Sequence, residues 1–141
     1  MFDEHSTWTG FVPALTPETA PFWEAANAGT FLLQRCPDCG KTQYHYRALC
    51  SFCMSDKIED YPSAGKGEVW TYSVVYRNNT AGYPEKVPYV VGLVELEGGV
   101  KVVSNIIGGD PEDVTFGTKV EVVFAKTQDG QAIPLFKVTD S

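Results

Sequence analysis

Every cysteine of this chain lies in one short stretch: Cys36, Cys39, Cys50 and Cys53. They form two Cys-x-x-Cys pairs separated by ten residues. A tight turn with a cysteine at each end offers two thiolates on one side, and two such turns close a tetrahedron around one Zn²⁺. Four thiolates leave no open position for water or substrate, so the metal is expected to be structural rather than catalytic. Iron in the same tetrathiolate is the alternative, because geometry alone does not separate the two. No thiol remains for redox or nucleophilic work, and neither pair sits in the βαβ pattern of a thioredoxin-like motif.

The quartet divides the chain. A metal-held module occupies residues 31–60, preceded by an arm and helix over 1–30 and followed by a larger unit over 61–141. With 141 residues, 43% of them hydrophobic, the chain has the composition of a folded globular protein. Its formal charge is −7, and a tetrathiolate zinc centre would add about two more negative charges. Such a balance is poorly suited to a nucleic-acid backbone, which is bound by neutralising phosphates with Lys and Arg. No apolar run reaches the length of a membrane span. The start, Met1-Phe2-Asp3-Glu4-His5, does not read as a secretory signal. Paired Cys-x-x-Cys motifs without a signal suit a reducing cytoplasm.

Along the chain, residues 1–15 read as an extended arm with many apolar side chains: Phe2, Trp8, Phe11, Val12 and Leu15. A short helix is expected over 16–29, capped by Thr19, with Pro21 in its first turn and Gly29 at its close. Phe22 and Trp23 project about 100° apart, so one can enter the chain's own core while the other faces elsewhere. Strands at 31–35 and 42–46 flank the first knuckle, a ribbon expected to have almost no core of its own and to depend on its metal. Residues 55–65 read as a linker. Five strands follow, over 67–77, 87–97, 100–107, 118–126 and 131–138, with Gly98-Gly99 as a hairpin turn. Glu68, Trp70, Tyr72, Val74 and Tyr76 are expected on one face of the first strand. The expected fold is mainly β: an N-terminal helix and zinc ribbon, then a five-stranded OB-fold barrel.

No self-sufficient active site is legible, and no catalytic residue is assigned. His45 reads as a surface residue of the ribbon, Ser73 and Ser104 lack an elbow motif, and Glu95 and Glu97 read as a solvated strand edge. Arg35, Lys41 and Arg47 gather around the metal, with Lys57 beyond it. They either compensate an anionic centre or contact the phosphates of a nucleotide-bearing small molecule. The arm and helix, through Trp8, Phe11, Phe22 and Trp23, are the expected contact surface for a partner.

One run quoted in order, Pro21-Phe22-Trp23-Glu24, then Gly29 to Gly40 with Arg35-Cys36-Pro-Asp-Cys39, then Arg47-Ala-Leu-Cys50-Ser-Phe-Cys53, resembles the DUF35 family. The segments Gly65 to Val75, Pro88 to Leu96 and Asp110 to Gly117 extend the likeness to about residues 15–138. Tyr46-Arg47 and Cys50-Ser51 depart from pairs common in the family, Pro-Arg and Cys-Pro, without touching a metal ligand. The resemblance implies a non-catalytic accessory subunit of a thiolase-like acyl-CoA complex, with an acyl-CoA site shared with the partner and CoA phosphates at Arg35, Lys41 and Arg47. The partner would be a thiolase-superfamily enzyme in a hetero-oligomer, two-plus-two by the habit of thiolases. Its chemistry would be thiolytic or retro-aldol cleavage, or acyl transfer. Candidate settings are an aromatic succinyl-CoA thiolase and a steroid side-chain aldolase. Two alternatives belong to other classes: a single-stranded nucleic-acid binder, and a free-standing acyl-CoA-binding protein.

Overall fold

The computed structural model describes residues 2–139; Met1, Asp140 and Ser141, at the ends of the two outer segments drawn from sequence, lie outside the described residues. The first helix, α1, runs Ala20–Asn27 with Pro21 in its first turn. Thr19 stands before it, but its hydroxyl pairs with Thr16 instead of capping, because its backbone has already turned helical. At the other end the N–H groups of Gly29 and Thr30 bond to the carbonyls of Ala26 and Ala25, which satisfies carbonyls the helix leaves open.

The ribbon is a three-stranded antiparallel sheet. β1 (Leu32–Arg35) is central, between β2 (Thr42–Gln43) and β3 (Glu59–Pro62). β3 falls inside the segment expected to be a linker. Its residues show no apolar alternation, because it is a largely exposed edge strand whose role is to complete the ladder of β1. β2 is shorter than the expected 42–46 strand.

The larger unit is a closed barrel in the order β4-β5-β6-β8-β7, with β7 returning to β4. Its strands are β4 (Lys66–Val75), β5 (Tyr89–Glu95), β6 (Lys101–Ile107), β7 (Lys119–Lys126) and β8 (Ala132–Val138). Closure removes exposed edges, as in OB-folds. The Gly98-Gly99 hairpin between β5 and β6 forms as expected, closed by the Leu96 N–H bonding to the Val100 carbonyl. The expected alternation along β4 fails at one point. The register shifts between Val69 and Thr71, so Trp70 is an extra residue in a bulge. A bulge reverses which face each later residue occupies. Val69 therefore shares the core with Tyr72 and Val74, while Trp70 turns out to solvent.

Ribbon and barrel share one core. Phe31, Leu32 and Leu33 at the base of the ribbon are buried together with Val69, Val90, Val94, Val102, Ile106, Val120 and Phe136 of the barrel. Phe31 meets Phe22 of α1 and Phe136 of β8 edge-on, at centroid distances of 5.6 and 5.8 Å. The ribbon is thus not coreless: apolar burial anchors its base, and only its knuckled tip depends on metal. Phe22, expected at a partner surface, is 5% exposed and belongs to this core, so that expectation is corrected. Trp23, turned about a helical step away, is half-buried against both core clusters. The arm is not free either. The Trp8 N–H bonds to the Lys126 carbonyl at 2.8 Å, and Phe2 is buried against Trp8, Tyr83 and Tyr89. Beyond Trp8 the arm stays tied by the Thr9 hydroxyl donating to the Gly82 carbonyl and the Phe11 N–H donating to the Tyr83 hydroxyl, yet Phe11 is 72% exposed, and Val12 and Leu15 are exposed too.

Candidate functional site

The two knuckles repeat one backbone pattern. The Gly40 N–H bonds back to the Cys36 carbonyl and the Cys36 N–H to the Lys41 carbonyl. In the same way the Met54 N–H bonds to Cys50 and the Cys50 N–H to Ser55. Each turn then points two sulfurs the same way. The four Sγ atoms lie within 4.8 Å of one another, with Cys36–Cys53 at 3.6 Å and Cys39–Cys50 at 3.7 Å. A tetrahedral zinc with Zn–S bonds of about 2.3 Å needs sulfurs about 3.8 Å apart. Donor set and spacing therefore fit a structural Zn²⁺ held by Cys36, Cys39, Cys50 and Cys53.

The thiols feel one another strongly. Burial opposes ionisation of Cys50, yet the N–H groups of Phe52 and Cys53 and the adjacent thiols outweigh it and bring Cys50 down to about 7. The Ser55 N–H favours the Cys53 thiolate, but burial and three neighbouring sulfurs push that thiol up to about 12. Like charges crowded into one site cannot all form without a counter-ion. A dication at the centre removes that conflict.

Beside the metal tip a concavity of about 540 Å³ opens between ribbon and barrel. Arg35, Lys41 and Arg47 line it from the ribbon, together with His45 and Phe52, and Lys101 lines it from β6. The three cations singled out from the sequence thus face one cavity, while Lys57 does not line it. Lys101 was missed, because the β5–β6 hairpin brings it to the ribbon from far along the chain. The approach is close: a Cβ on Gly98 would lie 2.9 Å from Thr42 Oγ1. The hairpin is also tied to the ribbon's exit. Glu97 accepts the Ala64 N–H at 3.1 Å and the Ser63 hydroxyl, so it is a structural tether rather than a solvated edge.

Three of the cavity's four cations are backed by rings. Arg35 lies 4.2 Å over Tyr61, Lys41 4.8 Å from the Phe52 centroid and Lys101 5.0 Å from Trp70. Among the described residues, Arg35, Lys41 and Arg47 form no ion pair, and Lys101 pairs loosely with Glu95 at 3.6 Å. No carboxylate lines the cavity among the described residues. His45 is exposed, and Ser51 Oγ donates to Gln43 Oε1. The arrangement presents positive charge and aromatic surface. It does not present a hydrogen-bonded nucleophile and base. On the arm, the Trp8 indole N–H donates to the Phe11 carbonyl at 2.9 Å, which fixes the turn that exposes the Phe11 ring. Among the described residues no helix is long and apolar enough to cross a membrane.

Residues 23–59 match the family model described as the ChsH2 rubredoxin-like zinc ribbon domain, and residues 60–125 match that of the ChsH2 C-terminal OB-fold domain. A DUF35 domain-containing scaffold protein of Methanothermobacter thermautotrophicus is 36% identical over 96 residues, 67% of this chain and 71% of that protein. A probable enoyl-CoA hydratase alpha subunit of Thermomonospora curvata is 29% identical over 125 residues, 89% of this chain but only 39% of the relative. Among solved structures, a chain of the Ltp2-ChsH2(DUF35) aldolase superposes with a TM-score of 0.79 at 28% identity, covering 90% of this chain and 98% of that one. With its helix, four-cysteine ribbon and closed OB barrel in this order, the chain belongs to the DUF35 family.

Proposed function

We propose that this chain is a non-catalytic accessory subunit of an acyl-CoA enzyme complex, and that its ribbon–barrel cavity takes the phosphate-bearing end of coenzyme A. The observation that carries the proposal is the concentration of Arg35, Lys41, Arg47 and Lys101 in one cavity of a chain whose formal charge is −7. Cations gathered against the net charge mark a place where an anion is wanted. The cavity's volume lies in the range of small-molecule sites, and Phe52 beside Lys41 offers a ring on which a base can stack. Arg35 and Arg47 suit phosphate oxygens through paired N–H donors. A long nucleic acid would meet the acidic remainder of the surface.

The likeness to a chain of a two-protein aldolase, over nearly its whole length, supports an accessory role. The partner in this proposal is a thiolase-superfamily enzyme that supplies the reacting groups for retro-aldol or thiolytic cleavage, or for acyl transfer, in a two-plus-two assembly in the cytoplasm. Phe11 with Val12 and Leu15, and the exposed part of Trp8 and Trp23, would meet it, since a contiguous apolar segment in water favours burial.

Calorimetry of the zinc-loaded chain and of its complex with an acyl-CoA thioester tests the cavity. A charge-assisted hydrogen bond contributes about 1.5–3 kcal/mol, and the exposed setting favours the lower end. Arg35→Ala and Arg47→Ala should each weaken binding about tenfold, and raising the salt concentration should weaken the parent chain further. Affinity unchanged in both variants would remove the phosphate site from this cavity.

A further inference from the structure

Arg47, one of the cavity's two arginines, and the metal ligand Cys50 lie in one short loop, residues 47–51. Beneath that loop sit two glutamines, Gln34 of β1 at 2% exposure and Gln43 of β2 at 6%, directly opposite in the ladder. Gln43 Nε2 donates to Gln34 Oε1 at 2.7 Å. Gln34 then holds both backbone polar groups of Arg47: Oε1 accepts its N–H at 2.9 Å, and Nε2 donates to its carbonyl at 2.7 Å. Gln43 holds the other end. Its Oε1 accepts the Ser51 N–H at 2.8 Å and the Ser51 hydroxyl at 2.9 Å. Ser51 follows Cys50 in the chain, and Cys50 is one of the four sulfurs of the metal site.

Inward-facing strand positions are ordinarily apolar, and a buried amide is costly unless its donors and acceptors are paired. Here both side-chain carbonyls and both amide groups are used. Turning either amide over would break the Gln34–Gln43 bond together with bonds to the loop. The pair is therefore a directional connection with a single arrangement, not two independent fillers.

We propose that the Gln34–Gln43 pair couples metal occupancy to anion binding in the cavity, with both glutamines acting as positioning residues. Zinc fixes Cys50 and with it Ser51. Gln43 passes that position to Gln34, and Gln34 sets the backbone from which the Arg47 side chain departs. An anion held by Arg47 stabilises the same arrangement from the other side. By linkage, whatever factor the metal adds to anion affinity, the anion returns to metal affinity. This inference rests on the cavity being a phosphate site.

The test is equilibrium competition for zinc against excess chelator, with and without saturating acetyl-CoA, on the full chain and on its native complex. Acetyl-CoA has no free thiol to take the metal. The parent chain should hold zinc about fivefold or more tightly with the thioester present. Gln43→Glu keeps the acceptors for Ser51 but loses the donor to Gln34. It should retain zinc, yet its zinc affinity should no longer respond to acetyl-CoA. A role confined to packing would instead shift the affinities with and without thioester by one common factor. Near-UV circular dichroism checks that the barrel is folded; should Gln43→Glu fail that check, Gln34→Glu, which loses the donor to the Arg47 carbonyl, serves in its place. If calorimetry shows thioester binding but zinc affinity does not respond in the parent chain, the coupling is wrong and the phosphate site stands. If the zinc-loaded chain and complex bind no thioester, the site and the coupling fall together. A full response in the glutamate variant would overturn the glutamine route.

Discussion

The two knuckles differ at one residue in a way that has a measurable cost. Gly40 follows the second cysteine of the first knuckle at φ +75°, and Met54 occupies the equivalent place in the second at φ +66°. The turn requires that left-handed backbone, which costs a side-chain-bearing residue about 1–2 kcal/mol. Met54 is also largely exposed, so little packing offsets the strain. Met54→Gly should stabilise the zinc-loaded chain by about 0.5 kcal/mol, the relief being reduced by glycine's freer unfolded state. Chemical denaturation at fixed zinc measures it, and a lower midpoint would show that Met54 makes contacts of its own. The metal ligands were legible residue by residue, because Cys-x-x-Cys is a local code. Phosphate contact is a proposal for Arg35, Lys41 and Arg47, but their place beside the cysteines was legible too. Lys101 and the Gln34–Gln43 pair were not, since their partners are set by strand register and the hairpin's fold-back.

Among the elements, β3 and the bulge in β4 depart furthest from what the sequence pattern predicts. Glu59-Asp60-Tyr61-Pro62 carries no alternation because it is an edge strand facing solvent on one side, with proline at its end where a ladder donor is not required. Its register puts Tyr61 under the Arg35 guanidinium and Asp60 within reach of the loop after β2. The Tyr46 hydroxyl donates to Asp60 Oδ1 at 2.5 Å, and burial, then this bond and the nearby carboxylate charge, push the phenol up to about 12. The folded value lies above the ordinary value of 10. The stability that the bond contributes is thus whole below pH 10 and is lost as pH rises from 10 to 12. In paired urea titrations at pH 9 and pH 11, Tyr46→Phe should lose less stability over that interval than the parent. Equal losses would mean the bond carries no pH-dependent stability. The Trp70 bulge was invisible in sequence because alternation continues on both sides of it and only the phase changes. Its consequence is functional in this proposal, since it turns Trp70 outward beneath Lys101 at the cavity's edge.

At the scale of the whole molecule, the shared core changes what loss of the metal should do. Phe31, Leu32 and Leu33 are buried against the barrel in a cluster that includes none of the four cysteines. Cys39→Ser should therefore abolish zinc binding and weaken acyl-CoA binding about fivefold or more, while the barrel keeps a cooperative thermal transition and its near-UV circular dichroism. Collapse of the entire fold would make the metal the keystone of the core as well as of the tip. The order helix, ribbon and barrel was legible from sequence because each part carries its own local signature. Their mutual seating was not, because it depends on which apolar side chains leave the ribbon for the barrel. Seated together, they form the basic cavity on which the proposed accessory role rests. The most direct test is affinity purification of the chain from its native cell, followed by turnover assays with acyl-CoA substrates. Co-elution of a larger acyl-CoA enzyme, activity in the complex and none in the isolated chain is the expected result. Turnover of an acyl-CoA by the purified chain alone, or recovery without any acyl-CoA enzyme, would contradict it.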